Sequence, residues 1–170
     1  MVKFSNALLG GALLLSAAAL PGQANAASGT GSGQAIIVTP TAFFLVENLN
    51  FGTIVPGSTA GDVVIDAVSG ARSSGGGIAG LSGSGVQRAR FVAGGTDGQQ
   101  VNLTLSAPPT LDDGNGHTMN MTTLDLDGAT TRTFDSTMAM DIYVGGTLHV
   151  GANQPEGNYA GDFTLTVDYL

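Results

Sequence analysis

Short stretches in which apolar and polar residues alternate are the feature of this sequence that most constrains its fold. The clearest stretch lies near the C terminus, where one face collects Tyr159, Phe163, Leu165, Val167 and Tyr169. Successive side chains of a β-strand point to opposite faces, so this pattern predicts a strand with one buried face. Beyond residue 26 we find no stretch with the period of a helix.

The same alternation predicts several other short strands. They cover residues 62–67, 86–93, 101–106, 119–126, 138–144 and 147–150. Turn-forming segments rich in glycine, aspartate and asparagine separate them, as expected of a chain with 27 glycines. Many short strands with such turns predict an all-β sandwich or barrel. Residues 69–85 are too glycine-rich for a core, and we expect a mobile loop or a weak flat hairpin there.

The N-terminal 26 residues have the pattern of a secretory signal peptide. Lys3 precedes an apolar run over residues 7–20, which is too short to span a bilayer, and Ala24-Asn25-Ala26 resembles a cleavage site. A membrane anchor is the alternative, but Gly10-Gly11 and Pro21 disfavour a spanning helix. We therefore expect a signal peptide over residues 1–26, an N-terminal extension over 27–40 and one domain over 41–170.

The charge of the exported chain disfavours anionic partners. Without Lys3, only arginines oppose the 13 acidic residues. Such a surface repels phosphate backbones and anionic lipids, so we expect neither nucleic acid nor a membrane surface as a partner. The chain has no cysteine, which excludes disulfides and thiolate metal sites.

No pattern in the sequence indicates catalysis. His117 falls in a turn-rich segment and His149 at an alternating strand position, and neither an HExxH nor a GxSxG motif is present. The glycine runs lack the GK[ST] ending of a phosphate-binding loop. We predict that the protein is not an enzyme and has no cofactor and no small-molecule substrate.

Two acidic turns and an arginine pair each have two interpretations. Residues 112–116 and 125–128 could bind calcium, but a loop starting at Asp125 has Thr130 and Ser136 where an EF-hand requires Gly and Glu, so hairpin turns are favoured. Arg88 and Arg90 share one strand face, opposite Ala89, Phe91 and Ala93. We expect that face to be solvated, with docking to an acidic neighbouring subunit as the alternative.

The two ends of the domain have complementary sequence patterns. The C-terminal strand presents an apolar edge with no lysine or proline to block pairing with another chain. Behind a flexible Ser/Gly leader lies a short, uncharged, β-branched segment, followed by Pro40 as a joint between strands. The predicted donor strand consists of Ala35, Ile36, Ile37, Val38 and Thr39. Bound to a neighbour's edge, it would add a strand by β-augmentation.

These features resemble the chaperone–usher pilins, the subunits of bacterial fimbriae. That family's chaperone-recognition pattern has a penultimate tyrosine, alternating apolar residues before it and a glycine fourteenth from the end. The matching residues here are Tyr169, Val167, Leu165, Phe163 and Gly157. "LNFGTIVPG" and "GTLHVGANQPEGNYAGDFTLTVDYL" also resemble a family of small secreted bacterial proteins of unknown function, similar to archaic spore-coat-U-type pilins. Many pilins carry a disulfide near the first strand and this chain does not, so its subgroup stays open.

The resemblance implies an incomplete immunoglobulin-like β-sandwich, completed first by a periplasmic chaperone and then by the next subunit's extension. It further implies a homopolymer assembled at an outer-membrane usher on a Gram-negative cell surface, supporting adhesion or biofilm formation. The alternative is a soluble secreted or periplasmic binding module whose own N-terminal strand fills the groove. Donor register stays open, because a slip of one residue exchanges Ile36 and Val38 for Ala35 and Ile37.

Overall fold

The computed structural model describes residues 42–81 and 85–170, and every regular element in them is a β-strand. This confirms the all-β prediction. No helix that could span a membrane was found in this part of the chain. The predicted signal peptide and donor strand lie outside the described residues, so both stay predictions.

Twelve strands follow one another along the described residues. The first six are β1 (Phe43–Glu47), β2 (Ile54–Val55), β3 (Gly61–Ile65), β4 (Arg72–Ser74), β5 (Ala79–Gly80) and β6 (Ala89–Gly94). The second six are β7 (Gln100–Leu105), β8 (Thr110–Asp112), β9 (Thr118–Leu126), β10 (Thr131–Thr133), β11 (Ala139–Val150) and β12 (Leu165–Tyr169). All pairings between them are antiparallel.

A seven-stranded sheet is organised around the long strand β11. Its first half pairs with β6, which in turn pairs with β1 at the end of the sheet. Its second half pairs with β3 and with β9, and these continue to β4 and β8. β7 is the middle strand of a separate three-stranded sheet, between β10 and β12. β2 and β5 form a two-stranded ribbon.

Two clusters of buried apolar side chains form the core. The first joins the seven-stranded and the three-stranded sheets, because β6 and β11 contribute to it together with β7 and β12. Its largest fully buried member is Phe134, in the segment between β10 and β11. The second cluster lies under β3, β9 and the end of β11, and also contains Phe51, Ile78 and Leu111. Leu49 and Leu124 contact both clusters.

The predicted faces of β6 are confirmed, whereas the prediction of two separate strands over 138–144 and 147–150 is wrong. Ala89, Phe91 and Ala93 are buried as the alternation requires. Residues 139–150 form a single strand, and Gly145 and Gly146 lie inside it instead of making a turn. A Cβ atom at Gly145 would collide with the carbonyl of Ile65, so the glycines permit close backbone approach.

Two further boundaries differ from expectation. The C-terminal strand begins at Leu165, not near Tyr159, because the backbone of Ala160 bonds to β8 instead of β7. We expected a mobile loop or a weak flat hairpin over segment 69–85, whereas its described part contains β4, which pairs with β3, and β5, which pairs with β2. Arg72 fixes this segment by donating to the carbonyls of Phe51 and Leu81.

Candidate functional site: a groove between two open strand edges

The last strand, β12, leaves one of its edges open. The N–H of Ser106 donates to the carbonyl of Thr164, at 2.9 Å. The N–H of Leu170 donates to the carbonyl of Gln100, at 3.0 Å. In an antiparallel ladder alternate residues bond the same neighbour, so even-numbered residues of this strand bond β7. The backbone N–H and C=O groups of the odd-numbered residues point to the other edge of the strand, where no strand among the described residues pairs with them. These residues are Leu165, Val167 and Tyr169.

The inward-facing side chains of β12 become progressively uncovered towards the end of the strand. Leu165 is only 4% exposed, Val167 is half-buried and Tyr169 is 39% exposed. Leu165 and Val167 both pack on the first core cluster. The described residues therefore cover the core-facing side of β12 only in part.

The first strand, β1, is open in the same way. The N–H of Gly94 donates to the carbonyl of Ala42, so the even-numbered residues of β1 bond β6. The backbone groups of Phe43 and Leu45 therefore point to the open edge. A bulge follows between Leu45 and Glu47. All five residues of the strand are exposed although the first four are apolar. An exposed apolar edge of this kind is a template for strand addition.

A cleft of about 710 Å³ opens between the segments that continue these two edges. One wall consists of residues 48–54 and Pro56, which follow β1, and the other of residues 154–163, which precede β12. The floor contains Leu111, Met119, Met121, Leu148 and Val150. Because one wall follows its strand and the other precedes it, the two walls run in opposite directions. We call the cleft together with the open edges of β1 and β12 the groove.

Aromatic rings connect the two sides of the groove. Phe43 stacks on Phe91 with ring centroids 5.5 Å apart and planes 6° from parallel. Phe91 meets Phe163 edge-on, with centroids 6.1 Å apart. Such geometries are favourable beyond the area they bury. The three rings link β1 to the terminal wall through the core.

The terminal wall is held by the end of β8 and by the turn that follows it. Ala160 and Asp112 exchange two backbone hydrogen bonds, of 2.8 and 3.0 Å. The hydroxyl of Tyr159 donates to the carbonyl of Pro155 and accepts from the side-chain amide of Gln154. The wall is thus fixed at several points although it is not a regular strand.

Asp113 is the centre of this turn. Its side chain is 1% exposed, and its carboxylate accepts the backbone N–H groups of Asn115 and His117. The His117 ring Nδ1 lies 2.7 Å from the second carboxylate oxygen. The hydrogen bond from the His117 side chain, helped by those from the backbone, lowers the pKa of Asp113 to about 2, against the opposing effect of burial.

Gly157 lies where an added side chain would meet Asp113. A Cβ atom at this position would lie 3.1 Å from the Cβ and 3.2 Å from Oδ2 of Asp113, which is closer than side chains normally pack. The glycine predicted from the C-terminal pattern therefore has a local steric reason, since an added side chain would crowd Asp113.

The structure brings the predicted C-terminal residues to one groove, in two kinds of position. Leu165, Val167 and Tyr169 lie on β12, whereas Gly157, Tyr159 and Phe163 lie in the terminal wall. Sequence reasoning missed the opposite wall over residues 48–54 and the floor. The apolar run from Phe43 to Ile54 was the available signal.

The polar candidates engage in local contacts. His149 pairs with Asp62 at 2.7 Å on an exposed surface, and His117 pairs with Asp113. Within residues 42–81 and 85–170, no cluster of three or more His, Cys, Asp or Glu side chains could hold a metal ion.

The arginine pair predicted on the outer face of β6 is already engaged. Arg90 forms a 2.9 Å ion pair with Asp141, and Arg88 lies 3.5 Å above the ring of Tyr143. These intramolecular contacts place both side chains on their own sheet. An acidic neighbour would have to compete with them.

Fold and groove together define an all-β protein with antiparallel sheets and an apolar groove bordered by unpaired strand edges. Residues 41–169 match the family described as "Domain of unknown function (DUF4402)", so the chain belongs to this family. No curated protein and no solved structure matches the chain.

Proposed function

We propose that this protein is the structural subunit of a surface fimbria and polymerises by donor-strand complementation. In this proposal the domain is an immunoglobulin-like sandwich that lacks one strand. The groove is the acceptor site, and the predicted donor strand of a second copy, residues 35–39, fills it. The observation that carries the proposal is the groove itself, with an apolar floor and an open strand edge continuing from each wall.

An inserted strand would satisfy both edges at once. One of its sides can bond the outward groups of β12 and the other those of β1, while alternate side chains enter the cleft. Burying three or four apolar side chains contributes roughly 5–10 kcal/mol, at ~1.5–3 kcal/mol each. This is comparable with a whole domain's stability of about 5–15 kcal/mol. The added strand would therefore be a major part of the fold of a chain without disulfides.

Chain connectivity favours a donor from another copy over the chain's own segment. Only residues 40–42 separate the donor from β1, so a fold-back would form a hairpin beside residues 43–47. The cleft beside residues 48–54 would then face the Ser/Gly-rich leader, residues 28–34, which offers it no apolar side chain. A second copy's donor has no such restriction and can lie along the cleft.

The remaining partners follow from this assembly. An unfilled apolar groove is prone to aggregation, so export requires a periplasmic chaperone that covers it and an usher that exchanges the chaperone for the next donor. The subunit would reach the surface of a Gram-negative cell and support adhesion or biofilm formation. The proposal assigns it no catalytic activity and no cofactor.

Deletion of residues 27–39 tests the proposal. We expect the full mature chain to form fibres visible by electron microscopy, and the deletion variant to be exported with its chaperone but to form none. A matched control deletes only residues 28–33, which shortens the leader and keeps the donor, and it should still assemble. Fibres of normal length from the deletion of 27–39 would refute the proposal.

Size-exclusion chromatography of the mature chain separates the alternative. A stable monomer without partners would indicate a self-complemented binding module. Paired substitutions then determine the register. Either I36D with V38D or A35D with I37D should abolish assembly, depending on which pair enters the groove.

A further inference from the structure

Large apolar side chains are exposed together at one end of the domain, where β1 and β11 begin and β12 ends. Phe43 of β1 and Met140 of β11 both lie opposite Ala93 of β6, so the beginnings of these strands are neighbours. Phe44 is 52% exposed, Met138 56% and Leu170 72%. We call this surface the apolar end. Its members are Phe44, Met138 and Leu170.

Hydrogen bonds hold the segments of the apolar end in place. The N–H of Gly95 donates to the carbonyl of Met138, at 2.9 Å, and Leu170 bonds Gln100. Met138 has a φ of 57°, a left-handed conformation that is uncommon for a non-glycine residue. The apolar side chains are therefore presented by an ordered backbone.

The opposite end of the domain, where Val150 at the end of β11 pairs with Gly61 at the start of β3, is glycine-rich. It includes Pro56, Gly57 and the turn at residues 75–77, which follow Val55 and β4 respectively. A Cβ atom at Gly57 would collide with the carbonyl of Gly77, so the two segments pack backbone against backbone. Val55 is exposed beside them. We call this surface, residues 55–57 and 75–77, the glycine end.

Chain length brings the apolar end against the copy that receives the donor strand. Four residue steps separate Thr39 from Phe43, which is at most about 14 Å of extended chain. The receiving domain must therefore lie next to the start of β1. Each copy in a fibre also receives a donor from a third copy. If that incoming donor left the groove at the apolar end, the copy, the one that receives its donor strand and the one that donates to it would all meet at this end.

We infer that the apolar end docks on the glycine end of the receiving copy and forms a second contact between subunits besides the inserted strand. This inference rests on the proposed function. It places the exit of the donor strand beside Pro56 and makes both ends of each domain part of one repeating interface. The inserted strand links the subunits, and the end contact fixes the angle between them.

Fibre stiffness tests the inference. We combine Phe44→Glu with Met138→Asp, because aspartate tolerates a positive φ. The control is Val68→Asp, which alters an exposed valine in the turn after β3. We expect the double variant to form fibres whose persistence length, measured on electron micrographs, falls at least threefold, and the control to match the wild type. Equal stiffness in all three would overturn the inference. Absence of fibres from the wild type would instead refute the proposed function.

Engineered disulfides give a second measurement if the double variant fails to fold. The chain has no cysteine, so Met138→Cys combined with Val55→Cys can form disulfides only between the introduced residues. We expect oxidation of assembled fibres to give a ladder of covalent multimers on denaturing gels. Val68→Cys with Val55→Cys should give none. A ladder in the control alone, or in neither variant, would overturn the inference.

Discussion

Single residues hold the terminal wall of the groove in its place. Asp113 organises the turn between β8 and β9 through three hydrogen-bond contacts, and Gly157 lets the wall pass close to that carboxylate. Neither residue lies on β12, yet both determine where the chain runs before that strand begins. The path of this wall is therefore set by one carboxylate and one missing side chain.

Replacement of His117 by alanine should raise the pKa of Asp113 from about 2 towards the ordinary 3.8, because the side-chain hydrogen bond is the largest cause of the shift. A lowered carboxyl pKa stabilises the folded protein above pH 3.8, and this contribution disappears as the pH falls through about 2. The variant should thus be less stable than the wild type at pH 7 and equally stable below pH 2. NMR titration of the carboxyl group and urea unfolding measure both effects.

The control for this experiment is His149→Ala, which removes the exposed pair with Asp62. It should leave the pKa of Asp113 unchanged. An unchanged pKa in the His117 variant would contradict the assigned cause.

Replacement of Gly157 by alanine should destabilise the domain by about 1 kcal/mol, because the new methyl group forces Asp113 or the wall to move. Gly75→Ala is the matched control, since a Cβ atom there meets no atom within 4 Å. We expect the control to be neutral or slightly stabilising. Urea unfolding compares the two, and equal stabilities would show that the close contact at Gly157 is unimportant.

At the scale of elements, the strand β12 has two different edges. Its even-numbered residues bond β7, and its odd-numbered residues face the groove. Neighbouring residues of the same strand thus have separate tasks. The even-numbered ones hold the strand in its own domain, and we propose that the odd-numbered ones bind the donor.

Proline substitution separates these tasks, because proline removes one backbone N–H. Val167→Pro removes a donor directed to the open edge, so we expect a folded domain that no longer assembles. Thr166→Pro removes a donor directed to β7 and should lower the free energy of unfolding by about 1 kcal/mol or more. Circular dichroism measures folding, and electron microscopy measures assembly.

Val167→Ile keeps both the N–H group and an apolar side chain and serves as the control for Val167→Pro. It should assemble like the wild type. Normal fibres from the proline variant would contradict the role of the open edge.

The sequence predicted those elements in which alternation and burial agree. The faces of β6 followed from period two because one of its faces is buried and the other is not. The terminal wall also alternates, but the bond between Ala160 and Asp112 diverts it from β7, and no local pattern indicates this long-range partner. Gly145 and Gly146 resembled a turn because glycine serves both turns and close packing, and only the neighbouring strands decide between them.

For the described domain as a whole, the central feature is a core that is open along the groove. The seven-stranded and the three-stranded sheets both contribute to the first core cluster. Among the described residues, β1 of the first sheet and β12 of the second each have one unpaired edge. The sequence indicated one of these edges through its C-terminal pattern. The second edge and the cleft depend on how distant segments assemble, which the pattern of a single strand does not contain.

Amide hydrogen exchange along β12 tests the account most directly. In the variant without residues 27–39, the amides of Thr166, Asp168 and Leu170 should exchange slowly and those of Leu165, Val167 and Tyr169 rapidly. In fibres of the mature chain all six should exchange slowly, because the donor strand of a neighbour bonds the odd-numbered groups. Odd-numbered amides that are protected in the variant, or that still exchange rapidly in the fibre, would contradict the account.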